Sequence, residues 1–150
     1  INEDNDMGIC YDTIYSIQAL NKRYYLLSGT SQIAAAYPLA VMKAVSCANG
    51  ELKKEIIFVS GNQQTDYLSI SYRYVKDNID TRLFISGNLT FPRIVYVETQ
   101  KEILKPVTVR DKDDIKYIGG EIDVYKLERN KNEIKFINNN ESYHLNDDPF

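Results

Sequence analysis

Thr30-Ser31-Gln32-Ile33-Ala34-Ala35-Ala36-Tyr37-Pro38-Leu39-Ala40-Val41-Met42-Lys43-Ala44-Val45-Ser46-Cys47-Ala48-Asn49-Gly50 is the stretch whose reading decides the fold. It is rich in Ala and opens on Thr30 or Ser31, either of which can accept a first-turn N–H. It closes on Asn49-Gly50, a helix-stop signal. The spacing predicts a helix up to Cys47, with Pro38 either kinking it or confining its regular part to Leu39 through Ser46. Its longest apolar run, Ile33 to Val45, is interrupted by Pro38 and Lys43. That run falls short of the roughly 20 residues a bilayer-spanning helix needs.

Upstream, Met7, Cys10, Ile14 and Ile17 recur at intervals of three and four, which lines one face of a first helix that Asp4 or Asp6 would cap. The stripe continues through Leu20, Tyr24 and Leu27 to Gly29, although Tyr24-Tyr25-Leu26-Leu27 reads equally well as a strand. Downstream of Lys54 the period changes to two. Within Tyr67 to Val75, the residues Leu68, Ile70, Tyr72 and Tyr74 share one face, and Ser69, Ser71 and Arg73 share the other. Leu83 to Ser86 and Arg93 to Thr99 are further strands. Glu121 to Glu128 and Glu133 to Ile137 form a hairpin about Arg129-Asn130-Lys131-Asn132, and Gly119-Gly120 is a turn or bulge. The expected fold is α+β, an N-terminal helical segment of one or two helices packed on an antiparallel β-sheet. A single domain is expected over 1–150, with 138–150 as a flexible tail.

Composition narrows the chemistry. The chain has 150 residues, 43% apolar and 26% charged, enough for one self-sufficient core. Its 18 Lys and Arg against 21 Asp and Glu leave no positive surplus for a nucleic-acid backbone. The single histidine, His144, lies in the expected tail, away from any Ser or Cys it could activate. Asn2, Asp4 and Asp6 space like the start of a calcium loop, but Met7 stands where Gly is needed and Thr13 where a bidentate Glu should be. Asp111, Asp113 and Asp114 lack closing ligands and read as a solvated loop. No catalytic residue, metal or cofactor is expected.

Cys10 and Cys47 have 36 residues between them (47 minus 10, minus 1), which excludes a C-x-x-C pair. A hairpin of the two expected helices would bring them together as a disulfide; the other reading is two unrelated buried thiols. Two cysteines and a start at Ile1 without Met lead to the expectation of an exported protein, periplasmic or secreted.

Twelve tyrosines against five Phe and no Trp suggest a binding surface, because Tyr offers rigid area with a polar tip. Tyr24, Tyr72 and Tyr74 follow apolar faces and are expected in the core. Tyr67 and Tyr125, with the i, i+4 pair Tyr11 and Tyr15, are the expected surface set. Ser60-Gly61-Asn62 and Ser86-Gly87-Asn88 are recurring turns after apolar strand ends.

Two segments resemble known inhibitors. Leu20-Asn21-Lys22-Arg23-Tyr24 is similar to the Leu-Asn-x-x-Tyr helix segment of the LprI-type lysozyme-inhibitor domain, with Ala19 where that pattern carries an acidic residue. The two Ser-Gly turns are similar to the Ser-Gly-x-x-Tyr loop of the MliC and PliI types, with Gln64 and Thr90 in place of Tyr. The resemblance, to periplasmic immunity proteins and lysozyme inhibitors of Gram-negative bacteria, implies a non-enzymatic module that occludes the cleft of a cell-wall hydrolase or bacteriocin. Its partner would be a protein, a toxin or peptidoglycan hydrolase. The loops Ser60 to Tyr67 and Ser86 to Pro92 would carry the binding residues Ser60, Asn62, Asp66, Tyr67, Ser86 and Asn88. The alternative is a secreted adhesion or toxin subunit binding host glycan or protein. A carboxylate-only enzyme would instead show one Asp or Glu with a strongly raised pKa in a pocket.

Overall fold

The computed structural model describes residues 8–34, 37–71, 93–110 and 116–144, and every regular element among them is a strand. The first sheet contains β1 (Cys10–Gln18), β2 (Arg23–Ala34), β3 (Tyr37–Ala48), β4 (Glu51–Lys54) and β7 (Tyr67–Ser71). The second contains β5 (Phe58–Ser60), β6 (Gln63–Thr65), β8 (Val95–Val97), β9 (Glu102–Arg110), β10 (Lys116–Asn130), β11 (Glu133–Asn138) and β12 (Ser142–His144). The expected helical segment is therefore absent from the described residues, and the fold is all-β instead of α+β. No helix of these residues is long and apolar enough to cross a membrane.

The reason lies in β3. Val41 through Ser46 are all buried, so both faces of this strand are covered and alternation disappears from the sequence. A strand buried on both faces reads as a continuous apolar run, which periodicity alone cannot tell from a buried helix. Pro38, expected to kink a helix, stands opposite Gln32 near the start of the strand, beside a register shift in β2. Strand ends and bulges are where a residue without an N–H is tolerated.

β1 does alternate. Thr13, Tyr15 and Ile17 stand opposite Ser28, Leu26 and Tyr24 on the core face, and Ile14 faces solvent at 65% exposed. The three-and-four stripe through Ile14 was thus coincidental. A register shift between Tyr11 and Thr13 leaves Asp12 as the extra residue and turns Tyr11 to the opposite face from Tyr15. Instead of forming a surface pair, Tyr15 packs edge-on against Tyr96 with ring centroids 5.5 Å apart, while Tyr11 lies beneath the Lys43 ammonium. At the bulge the backbones approach closely: a Cβ on Gly29 would stand 2.5 Å from the Cys10 carbonyl oxygen.

The sheets run β1-β2-β3 with β4 and β7 both on the far edge of β3, and β6-β5-β11-β10-β9-β8 with β12 pairing β10. The β10–β11 hairpin turns at Lys131, as the turn residues suggested, and Gly119-Gly120 fall at the register shift within β10. Ser142–His144 pairs with Glu121–Asp123, so strand continues into the segment expected as tail. Both sheets contribute to one core, among them Leu26 and Met42 from the first and Phe58, Ile103 and Phe136 from the second.

One buried polar cluster ties the two sheets, and a second braces the first sheet. Arg93, at 3% exposed, forms an ion pair with Asp12 and donates to the Ser28 carbonyl at 3.0 Å, while the Ser28 hydroxyl donates to the Ile94 carbonyl at 2.6 Å. Glu55 accepts from the Ser46 hydroxyl and from the Lys22 ammonium, both at 2.6 Å.

The expected Cys10–Cys47 disulfide is also corrected: both thiols are free and exposed. Cys10 opposes Thr30, which opposes Ala40, and Cys47 lies seven residues farther along β3 (47 minus 40). At about 3.3 Å per residue that is more than about 20 Å, against the roughly 7 Å limit between bridged Cα atoms. Intact mass after alkylation without reductant should show two added groups; an unmodified mass would contradict this register. Gly29→Ala should cost about 1–3 kcal/mol in chemical denaturation, because the backbone contact at the bulge leaves no room for a methyl.

Candidate functional site

Val59-Ser60-Gly61-Asn62-Gln63 forms the tip of the β5–β6 hairpin, with Ser60 opposite Gln63 and Gly61-Asn62 as the two-residue turn. Gly61 has φ +57°, a conformation that favours glycine and suits the first central position of such a turn. The tip is exposed from Gly61 to Gln64, yet its base is firmly held. Phe58 pairs in parallel with Phe136 of β11 and is itself buried in the core. Beyond β6 the chain crosses back to the first sheet. The Thr65 hydroxyl accepts the Tyr67 N–H at 3.2 Å and donates to the Tyr67 carbonyl at 3.1 Å, and the Asp66 carbonyl accepts the Ala44 N–H at 2.9 Å.

Behind this hairpin lies a cavity of about 380 Å³. The hairpin contributes Ser60, Gln63 and Thr65 to its wall, and β7 contributes Tyr67 and Ser69. Its inner side is formed by Lys105 of β9 with Asp123 and Tyr125 of β10. Lys105 and Asp123 oppose one another in the β9–β10 register, so their side chains share a face. Burial raises the Asp123 carboxyl above its ordinary value; the Lys105 charge opposes that rise and Glu121 adds to it. Burial likewise raises the Tyr125 hydroxyl, opposed chiefly by the neighbouring Asn138 amide. The Asn138 side-chain oxygen is buried without a hydrogen-bond partner.

The structure brings Ser60 and Tyr67 together on the cavity wall and leaves Asn62 exposed at the hairpin tip. Asp66 is half-buried at the crossing between sheets, outside the cavity lining. Ser86 and Asn88 lie outside the described residues, as do Tyr72 and Tyr74. Tyr24 is core, though on strand β2 and not on the helical stripe that suggested it, and Tyr67 is 36% exposed. Tyr125 departs from expectation. It shares its face with Asp123, which suggested solvent, but at 4% exposed it belongs to the core and the cavity floor.

Lys105 and Asp123 were missed as site residues. The available signal was a carboxylate between Ile122 and Val124, an ionisable group inside a strand whose neighbours are buried. Asp123 is the one carboxylate lining this cavity among the described residues. Among the described residues no three His, Cys, Asp or Glu side chains converge as metal ligands. No family model, curated protein or solved structure matches the chain.

The raised Asp123 carboxyl has a consequence for stability. A folded-state pKa above the unfolded value means the folded form holds the proton more tightly, so the stabilisation is complete below the unfolded value and is lost as pH rises through the folded one. Asp123→Asn should therefore raise the melting temperature at neutral pH, and the gain should vanish below the usual carboxylate range. Equal melting shifts at both pH values would rule out the burial penalty.

Proposed function

We propose that this chain is a non-catalytic protein-binding module of the inhibitor or immunity class, which blocks a cell-wall hydrolase or bacteriocin by seating the β5–β6 hairpin tip in its cleft. The observation that carries the reading is the contrast within one hairpin. Gly61 through Gln64 are exposed, while Phe58 is locked into the core and into parallel pairing with β11. A rigidly based, exposed turn loses little conformational freedom on binding, which is what an occluding loop requires. Tyr67, at the edge of the same surface, supplies an aromatic anchor of the kind that dominates interface energies.

Placement outside the cytoplasm, periplasmic or secreted, is part of this proposal. It rests on the resemblance to exported inhibitors and not on the cysteines, whose thiols are free. Asn62 at the turn supplies both a donor and an acceptor to a catalytic or substrate-binding group. Ser60 supports the turn from the cavity side.

A peptidoglycan suspension treated with a panel of muramidases and amidases provides the test. The folded protein should raise the residual turbidity with at least one enzyme, and Asn62→Ala or Tyr67→Ala should weaken that protection by roughly tenfold. Unchanged turbidity across the panel, together with no toxin retained on the immobilised protein, would overturn the proposal.

A further inference from the structure

We propose that the cavity behind the β5–β6 hairpin, which shares Ser60, Gln63 and Tyr67 with the hairpin surface, is a binding site for a neutral sugar, whether or not the exposed turn at Gly61-Asn62 engages a protein. Charge decides the class of ligand. Asp123 and Lys105 line the same space from opposed positions of β10 and β9, so among the described residues the site carries one negative and one positive group. They form no direct ion pair, which leaves the hydrogen-bonding capacity of each turned toward a guest. A phosphate or other anion would meet the Asp123 carboxylate, and a simple cation would meet the Lys105 ammonium. An apolar guest would strip water from both without replacing its hydrogen bonds, a loss of several kcal/mol by transfer measurements. A neutral polyhydroxyl ligand avoids all three costs. Neighbouring hydroxyls can donate to Asp123 and accept from Lys105 at once.

The rest of the wall has the same character. Ser60 and Ser69 contribute hydroxyl side chains to the lining, and Gln63 adds an amide with both donor and acceptor. Tyr67 and the buried Tyr125 provide aromatic surface for the apolar face of a pyranose ring. The volume, about 380 Å³, lies within the roughly 300–1,000 Å³ range of small-molecule sites. Among the described residues the wall carries a single carboxylate, which suits holding a sugar by hydrogen bonds.

Titration of the isotopically labelled protein with glucose, galactose, mannose and N-acetylglucosamine, followed by backbone amide resonances, tests the inference. At least one sugar should give saturable millimolar shifts centred on Thr65, Ser69 and Asp123. Asp123→Asn and Lys105→Ala should each weaken binding by about tenfold or more, since each removes a charged hydrogen-bonding group. Asp123→Asn preserves side-chain shape, and retained dispersion of its spectrum separates lost binding from lost folding. Glucosamine, glucuronate and alanine serve as charged and zwitterionic probes and should bind more weakly than the best neutral sugar. The inference is overturned by a lack of saturable shifts from all four sugars, by shifts that survive both substitutions, or by tighter binding of any charged or zwitterionic probe. Free sugars report on the cavity alone, so this result and the turbidity result can fail separately.

Discussion

Burial of β3 on both faces is the constraint around which the molecule is arranged. With Met42 and Ala44 facing the core and Val41 and Val45 buried on the other side, the middle of this strand, Ala40 to Ser46, is shielded from water. Its polar groups must be paired on both edges. β2 satisfies one edge along nearly the whole length, and β4 and β7 divide the other between residues 45–48 and 39–43. That division forces the chain to leave the first sheet after β4 and to return to the same edge as β7. The β5–β6 hairpin is the excursion between the two, and the cavity forms where the returning strand meets the second sheet. The most exposed feature of the candidate site thus follows from the most buried strand.

The two polar clusters play a different part from the apolar core. Hydrophobic contact between sheets is tolerant of small sliding, whereas a guanidinium held by Asp12 and by the Ser28 carbonyl admits little. Arg93 is almost fully buried, so loss of its carboxylate partner would leave an uncompensated charge. Asp12 reaches it because the β1 bulge supplies an extra residue at that position. Glu55 secures the opposite region, joining Lys22 before β2 to Ser46 in β3. The Arg93 contacts register the two sheets against each other, and the Glu55 contacts register strands within the first sheet.

Site chemistry divides along the same line between exposed and recessed. The hairpin tip offers main-chain and amide groups on a firm base, suited to a large partner. The cavity behind it is a polar recess, lined among the described residues by one carboxylate and one ammonium, and suited to a small guest. Ser60 and Tyr67 stand at the boundary, which is why turn vocabulary and aromatic excess both pointed to them although neither signal distinguishes a tip from a pocket.

Local patterns with a short physical range were legible in the amino-acid order. The β10–β11 hairpin, the turn at Gly61-Asn62 and the alternation of β7 each depend on a few adjacent residues and agree with the structure, while Gly119-Gly120, expected as a turn or bulge between strands, is a register shift inside β10. The first third of the chain was not. Its stripe through Cys10 and Ile14 fits a helix only if those residues are buried, and both face solvent. β3 lacks alternation because residues on both of its faces are buried, and on the core face the covering comes from strands distant in the chain. The same cause governs the site: Asp123, Lys105 and Tyr67 meet only because three strands from different parts of the sequence converge. The order of residues determined turns, bulges and polar balance, which are set within a few bonds. Tertiary structure decided which apolar runs became strands, kept the two thiols apart, and assembled the cavity, because burial and register are properties of neighbours that the sequence does not place side by side.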